Sequence, residues 1–365
     1  MLLRILGVMV LLVTSCTTKE THETTKKESV NPKNIILLIG DGTGLSQISS
    51  SQFFNDQPSN YDRFKHIGLI KTSSSSDLIT DSAAGATAFS AGIKTYNGAI
   101  GVNHDTIYQP TILEDLAQRG YASGLVSTSS ITHATPASFY AHVPSRRMEE
   151  EIAIALAESK VNFFAGGGTN FFSSATRSDE RDILGLLALK EFKVDTIGLP
   201  DKSMIMDPMK KYAYLLAAGG MPKIMESQDA FLTNATRLGI NHLSQNDTGF
   251  FMMIEGSQID WGGHANDANF LISELIEFDK AIGIALDFAL SDKETLVIVT
   301  ADHETGGFSL SSDGSNYNKI KPTFSTGGHT ATMVPVFAFG PGSENFQGVY
   351  ENTEIYHKMV KVLSL

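Results

Sequence analysis

The chain has 365 residues, of which 42% are hydrophobic and one is cysteine, so it can bury a large core without disulfides. Its net charge of −12 argues against a nucleic-acid partner, because binding a phosphate backbone needs clustered Lys and Arg.

At the N-terminus, Arg4 precedes an apolar stretch at 5–13 and then Thr14-Ser15-Cys16. That stretch is shorter than the about 20 residues a bilayer-spanning helix needs, and it fits a secretory leader. Val13-Thr14-Ser15-Cys16 is similar to a bacterial lipobox, in which the cysteine becomes the lipidated first residue of the mature protein. The expectation is an exported protein held in the cell envelope, at a periplasmic or outer-membrane surface, by a lipid on Cys16. Residues 17–33 are rich in Thr, Lys and Glu without apolar periodicity and read as a disordered tether. Residues 34–365 read as one domain.

From position 34 onward, strand-like runs alternate with helical ones. A strand at 35–39 leads to a helix beginning at Leu45, and a second strand covers 66–72. A helix at 82–91 is closed by Gly92. Helical spacing at 111–119 ends at Gly120, and a strand follows at 122–127. A helix at 149–159 precedes a short strand at 162–165. Between 171 and 247 the pattern weakens; 204–209 and the Gly219-Gly220 punctuation read as surface elements or a small insertion. Apolar runs at 250–254 and 295–300 are buried strands, 270–290 is a long amphipathic helix, and 334–339 a late strand. Such alternation predicts an α/β fold with a mainly parallel central sheet and helices on both faces.

Three of these strands end in metal-competent side chains. The first delivers Asp41, the run at 250–254 delivers Glu255, and the run at 295–300 delivers Asp302 and His303. Open α/β sheets place ligands at the carboxyl ends of their strands. Asp260 and His264 are four apart, which puts both on one helical face. Gly262 and Gly263 lie between them, each costing about 1 kcal/mol in a helix interior, so a close approach by metal or backbone is expected there. His329 in Thr326-Gly327-Gly328-His329 is a loop ligand. Imidazoles and carboxylates bracketed by glycine point to zinc. Three divalent ions carry +6 against −4 for Asp41, Glu255, Asp260 and Asp302, so the site accommodates an anionic substrate. Gly40-Asp41-Gly42-Thr43-Gly44 has the wrong spacing for a dinucleotide fingerprint. Ser82 begins a run of small residues at a helix start, where it either caps the helix or presents its hydroxyl to a bound phosphate.

In order, Ile39–Gly44, Thr80–Ala84, Thr132–Pro136 with Ser145-Arg146, Glu255–Asp260 through His264, Thr300–His303 and Thr326–His329 together resemble the alkaline phosphatase family. The resemblance runs from Asn34 to the C-terminus. It implies that Asp260, His264 and His329 hold one zinc, and that Asp302, His303, Asp41 and the Ser82 oxygen hold a second. Asp41, Thr135 and Glu255 would hold a third ion, usually magnesium. Arg146 would grip the phosphate, with Arg147 as its neighbouring competitor. His133 and Trp261 depart from the family, many members of which carry Asp and Lys there, so zinc or cobalt also suits the third position. The implied activity is hydrolysis of small phosphate monoesters through a phosphoserine on Ser82. The alternative is a phosphodiesterase or another hydrolase of the same superfamily. A homodimer and reduced accessory loops are further implications.

Overall fold

The computed structural model describes residues 31–201, 204–227 and 229–365. Cys16, its lipobox and most of the expected tether lie outside the described residues. Strands form in chain order as β1 (Asn34–Gly40), β2 (His66–Lys71), β3 (Ala122–Ser130), β4 (Phe163–Gly167), β5 (Phe192–Asp195), β6 (Lys211–Leu215) and β7 (Phe250–Gly256). They continue as β8 (Thr295–Thr300), β9 (Glu304–Thr305), β10 (Ser309–Asp313), β11 (Asn316–Thr323), β12 (His329–Thr330), β13 (Val334–Phe339) and β14 (Gly348–Glu351). Ten of them form one sheet in the order β14-β2-β13-β8-β1-β7-β3-β4-β6-β5. Pairing is parallel from β8 through β5 and between β14 and β2, while β13 runs antiparallel to both β2 and β8.

The central strands β1, β3, β7 and β8 are buried along their whole length because helices cover both faces. In β1 the side chains alternate between two cores: Ile35, Leu37 and Ile39 enter one, Ile36 and Leu38 the other. The first core packs against the helices Ile112–Gln118, Glu149–Glu158 and Glu354–Leu363, through Leu116, Leu156 and Met359 among others. The second packs against Phe231–Leu243 and the long helix Ala268–Asp292, through Leu238, Leu271, Phe278 and Leu286. Among the described residues no helix is long and apolar enough to cross a membrane.

Most expected elements appear within a few residues of their predicted ends. Thr111 is a cap rather than a helical residue: its hydroxyl accepts from the Glu114 N–H, and the Glu114 carboxylate accepts from the Thr111 N–H. The segment 171–247 is more than surface decoration. It supplies β5 and β6, which extend the sheet at one edge, and the helix Phe231–Leu243, whose apolar face lies on the second core. Gly262 is explained by backbone approach. A Cβ there would meet the Leu271 backbone nitrogen at 2.5 Å, so the short helix Gln258–His264 nests against the start of Ala268–Asp292 only without one.

Candidate metal centre

Parallel pairing sets the site. β1 lies between β7 and β8, with Ile39 in register with both Glu255 and Thr300, so the residues leaving these strands emerge side by side. Asp41, Glu255, Asp302 and His303 are all fully buried there. The helix Gln258–His264 adds Asp260 and His264, and β12 adds His329. From the end of β3 a tight turn brings in His133 and Thr135.

Three groups of side chains converge with their ligand atoms within 4.8 Å of one another: Asp260 with His264 and His329, Asp41 with Asp260 and His303, and Asp41 with His133 and Glu255. Asp302 joins the second group, with its Oδ2 3.1 Å from His303 Nε2. His264 Nε2 is 3.3 Å from Asp260 Oδ2 and 3.1 Å from His329 Nε2. The His303 and His329 rings stack at 3.5 Å between centroids.

Hydrogen bonds on the far side of each ring fix the tautomer. His264 Nδ1 donates to the Gly327 carbonyl at 2.7 Å, and His329 Nδ1 donates to that of Thr80 at 2.9 Å. The Thr305 hydroxyl donates to Asp260 Oδ1, so it accepts from His303 Nδ1 at 3.2 Å. All three Nε2 lone pairs are thereby turned inward, as in metal-ligating histidines.

Around these nitrogens lie further inward atoms that make no hydrogen bond. Both Asp41 oxygens, Glu255 Oε1, Asp302 Oδ2, Thr135 Oγ1 and His133 Nδ1 are buried without one. Burial, then the charges of Asp302, Asp260 and Glu255, raise the Asp41 carboxyl well above the usual carboxylate range. Burial also raises Glu255. His133 is pushed down to about 4 by burial and by the Arg146 charge, so it is neutral, with Nε2 accepting from Arg146 and its proton on Nδ1. Orphaned acceptors aimed at one another are costly unless a cation lies among them. The mixed set around Asp260 and His303 matches zinc, and the oxygen-rich set around Asp41, Glu255 and Thr135 matches a harder ion.

Ser82 stands at the rim of this cluster. It is the first residue of the helix Ser82–Ala91, and the cap is its neighbour Asp81, whose Oδ1 accepts from the Ala84 N–H at 3.0 Å. The Ser82 hydroxyl is therefore not consumed by capping and lies 3.4 Å from His303 Nε2. Asp81 has a second task. Its Oδ2 accepts from Arg146 Nη1 at 3.0 Å, while Arg146 Nη2 donates to His133 Nε2 at 3.1 Å. This holds the guanidinium beside Ser82's helix. Arg147 is exposed, which favours Arg146 of the two arginines. Trp261 meets the His133 ring edge-on at 6.3 Å, and a Cβ at Gly220 would come within 2.5 Å of its ring.

Sequence reading missed the residues behind the candidate ligands. Ser127 donates to Glu255 Oε2 at 2.5 Å and Ser129 at 3.4 Å, which occupies that oxygen and leaves Oε1 facing Asp41. Ser257 joins Ser127 at 2.9 Å. The available signal was Ser127-Thr128-Ser129-Ser130, a run of hydroxyls continuing a buried strand.

A family model described as alkaline phosphatase matches residues 32–324 and 311–365. The chain is similar to alkaline phosphatase 3 of Bacillus subtilis, at 34% identity over 91% of this chain and 89% of that one. The alkaline phosphatase of the Antarctic bacterium TAB5 superimposes with a TM-score of 0.89 at 56% identity, covering 92% of this chain and 98% of that one. A histidine-to-aspartate variant of that enzyme, with Mg bound in its M3 site, superimposes at 0.88 and 55% identity over the same shares of the two chains. The chain belongs to the alkaline phosphatase family.

Proposed function

We infer that this chain hydrolyses phosphate monoesters through a covalent phosphoserine on Ser82. The observation that carries this reading is the buried set of unpartnered Asp, Glu and His atoms with a serine hydroxyl at its rim, 3.4 Å from His303 Nε2 and at a helix N-terminus. Asp260, His264 and His329 would hold one zinc, and Asp302, His303 and Asp41, with the Ser82 oxygen, a second. Asp41, Glu255 and Thr135, with His133 beside them, would hold the third ion. Bound there, the cations supply Lewis acidity and lower the pKa of coordinated hydroxyls.

The protein's own groups do the rest. The Ser82 Oγ attacks phosphorus; an Oγ–P bond forms as the ester P–O bond breaks, and the alcohol leaves with a proton. Water then forms the new P–O bond, the Ser82 Oγ–P bond breaks, and inorganic phosphate departs. Arg146, braced by Asp81, offers paired N–H groups that match two phosphate oxygens, a geometry that lysine cannot copy. Free N–H groups and the dipole of the helix Ser82–Ala91 favour the same anion.

A phosphodiesterase built on the same ligands is the second reading, favoured by no particular contact. Purified protein assayed on p-nitrophenyl phosphate and bis-p-nitrophenyl phosphate separates the two. Faster turnover of the monoester, with zinc in the protein, is expected; preference for the diester would contradict the assignment. Export through the leader and lipidation at Cys16 remain part of the proposal, as do a single domain over 34–365 and a homodimer. Acyl labelling lost on Cys16→Ser, and the mass of the purified protein in solution, test the anchor and the dimer.

A further inference from the structure

Glu304 sits directly after the ligands Asp302 and His303, is only 5% exposed, and has no part in the metal set described above. Its carboxylate is the centre of a separate knot. Oε1 accepts from Gln47 Nε2 at 2.7 Å and from the Phe308 N–H at 3.0 Å, and Oε2 accepts from the Thr330 hydroxyl. Gln47 extends the knot in two directions: its Nε2 also donates to the Thr305 carbonyl at 3.0 Å, and its Oε1 accepts from the Gly44 N–H at 3.1 Å. A Cβ on Gly44 would lie 2.7 Å from Glu304 Cγ, so the side chain occupies space that only glycine leaves open.

Each arm ends on a different ligand-bearing segment. Gly44 closes the turn that carries Asp41. Glu304 and Thr305 continue the segment of Asp302 and His303. Thr330 is the neighbour of His329, on β12, which pairs with β9 through only two residues, His329 with Thr305 and Thr330 with Glu304. A two-residue ladder is too short to stand by itself. The side-chain link from Thr330 to Glu304 therefore adds to the hold on His329 that its own bond to the Thr80 carbonyl and the Gly306 N–H bond to the Gly328 carbonyl provide.

We propose that Glu304 is a positioning residue that fixes the distance between His329 and the Asp302–His303 pair, and so keeps the zinc-holding imidazoles convergent. This rests on reading those residues as zinc ligands. Outer partners of this kind typically change metal affinity by about 10–100-fold when removed. A merely structural role would lower stability and leave metal retention alone.

The test uses the full, zinc-loaded protein challenged with a chromophoric chelator, with zinc release followed over time beside the unfolding temperature of the metal-free form. Glu304→Ala should release zinc about 10–100-fold faster than the parent. Glu304→Gln should stay close to the parent, because its amide oxygen can accept from Gln47 and Phe308 while its NH2 donates to the Thr330 hydroxyl. Thr330→Val cuts only the arm to β12 and should release zinc about tenfold faster with an unchanged unfolding temperature; it decides the matter if Glu304→Ala does not fold. Parent-like release from Glu304→Ala or Thr330→Val overturns the proposal, as does a Glu304→Gln variant no better than Glu304→Ala. A parent protein that binds no zinc would instead overturn the underlying assignment of the ligands.

Discussion

Two groups of buried carboxylates, at the candidate metal centre and along the helix Ala268–Asp292, look alike by burial and differ in how their oxygens are partnered. Asp41, Glu255, Asp260 and Asp302 are at most 5% exposed, and so are Glu274, Glu277 and Asp279. On the helix each carboxylate has its own local donors. Asp279 accepts from the Ser59 hydroxyl at 3.0 Å and from the Asn60 N–H at 2.9 Å, Glu277 from the Thr233 N–H and hydroxyl, and Glu274 from the Ile224 N–H at 2.7 Å. They pin loops and a neighbouring helix to the long one. At the strand ends the oxygens point at one another and several lack any donor. Burial of an acid is thus no mark of a site; convergence of unpaired atoms is.

The sharpest way to break this comparison is one substitution in each group. Asp302→Asn should cost zinc retention beyond the roughly 10–100-fold expected for an outer partner, with little loss of stability in the metal-free protein. Asp279→Ala should do the reverse, lowering unfolding free energy by about 1–3 kcal/mol while zinc content stays at the parent level. Metal analysis and denaturant titration of both variants check this, and zinc loss from Asp279→Ala would erase the distinction.

Glu274 sharpens it through pH. Burial raises its carboxyl from 4.5 to about 7, so the folded protein favours the protonated form. The stability tied to that proton is complete below pH 4.5 and is lost as pH rises through about 7. Glu274→Gln removes the loss, so its advantage over the parent should grow between pH 4.5 and pH 8 by on the order of 3 kcal/mol. A difference that stays flat across that window would contradict the account. The smallest effect concerns the third ion. His133→Asp adds a hard oxygen beside Asp41 and Glu255, and should tighten magnesium binding about tenfold over zinc, as competition titration would read.

Much of this candidate site was legible because Asp41, Glu255, Asp302 and His303 sit at the ends of strongly apolar strands. The runs at 35–39, 250–254 and 295–300 announce buried strands, and each gives way to polar, metal-competent residues at its carboxyl end. The region 171–247 was opaque for a physical reason. β5 is a half-exposed edge strand, β6 is five residues long, and Thr236, Gly239 and His242 interrupt the buried apolar face of Phe231–Leu243. The supporting contacts were out of reach altogether. Gln47 and Glu304 are 257 positions apart, and nothing local in either neighbourhood signals the pairing. Asp81 is a milder case: a capping residue beside Ser82 could be read locally, but not its hold on Arg146 across 65 positions.

The most direct measurement is acid quenching during turnover of p-nitrophenyl phosphate, followed by mass spectrometry of the peptide that contains Ser82. A phosphate on Ser82, absent from Ser82→Ala and from chelated protein, is the predicted result. Turnover by the parent with no phosphate on Ser82, or with phosphate on another residue, would contradict it.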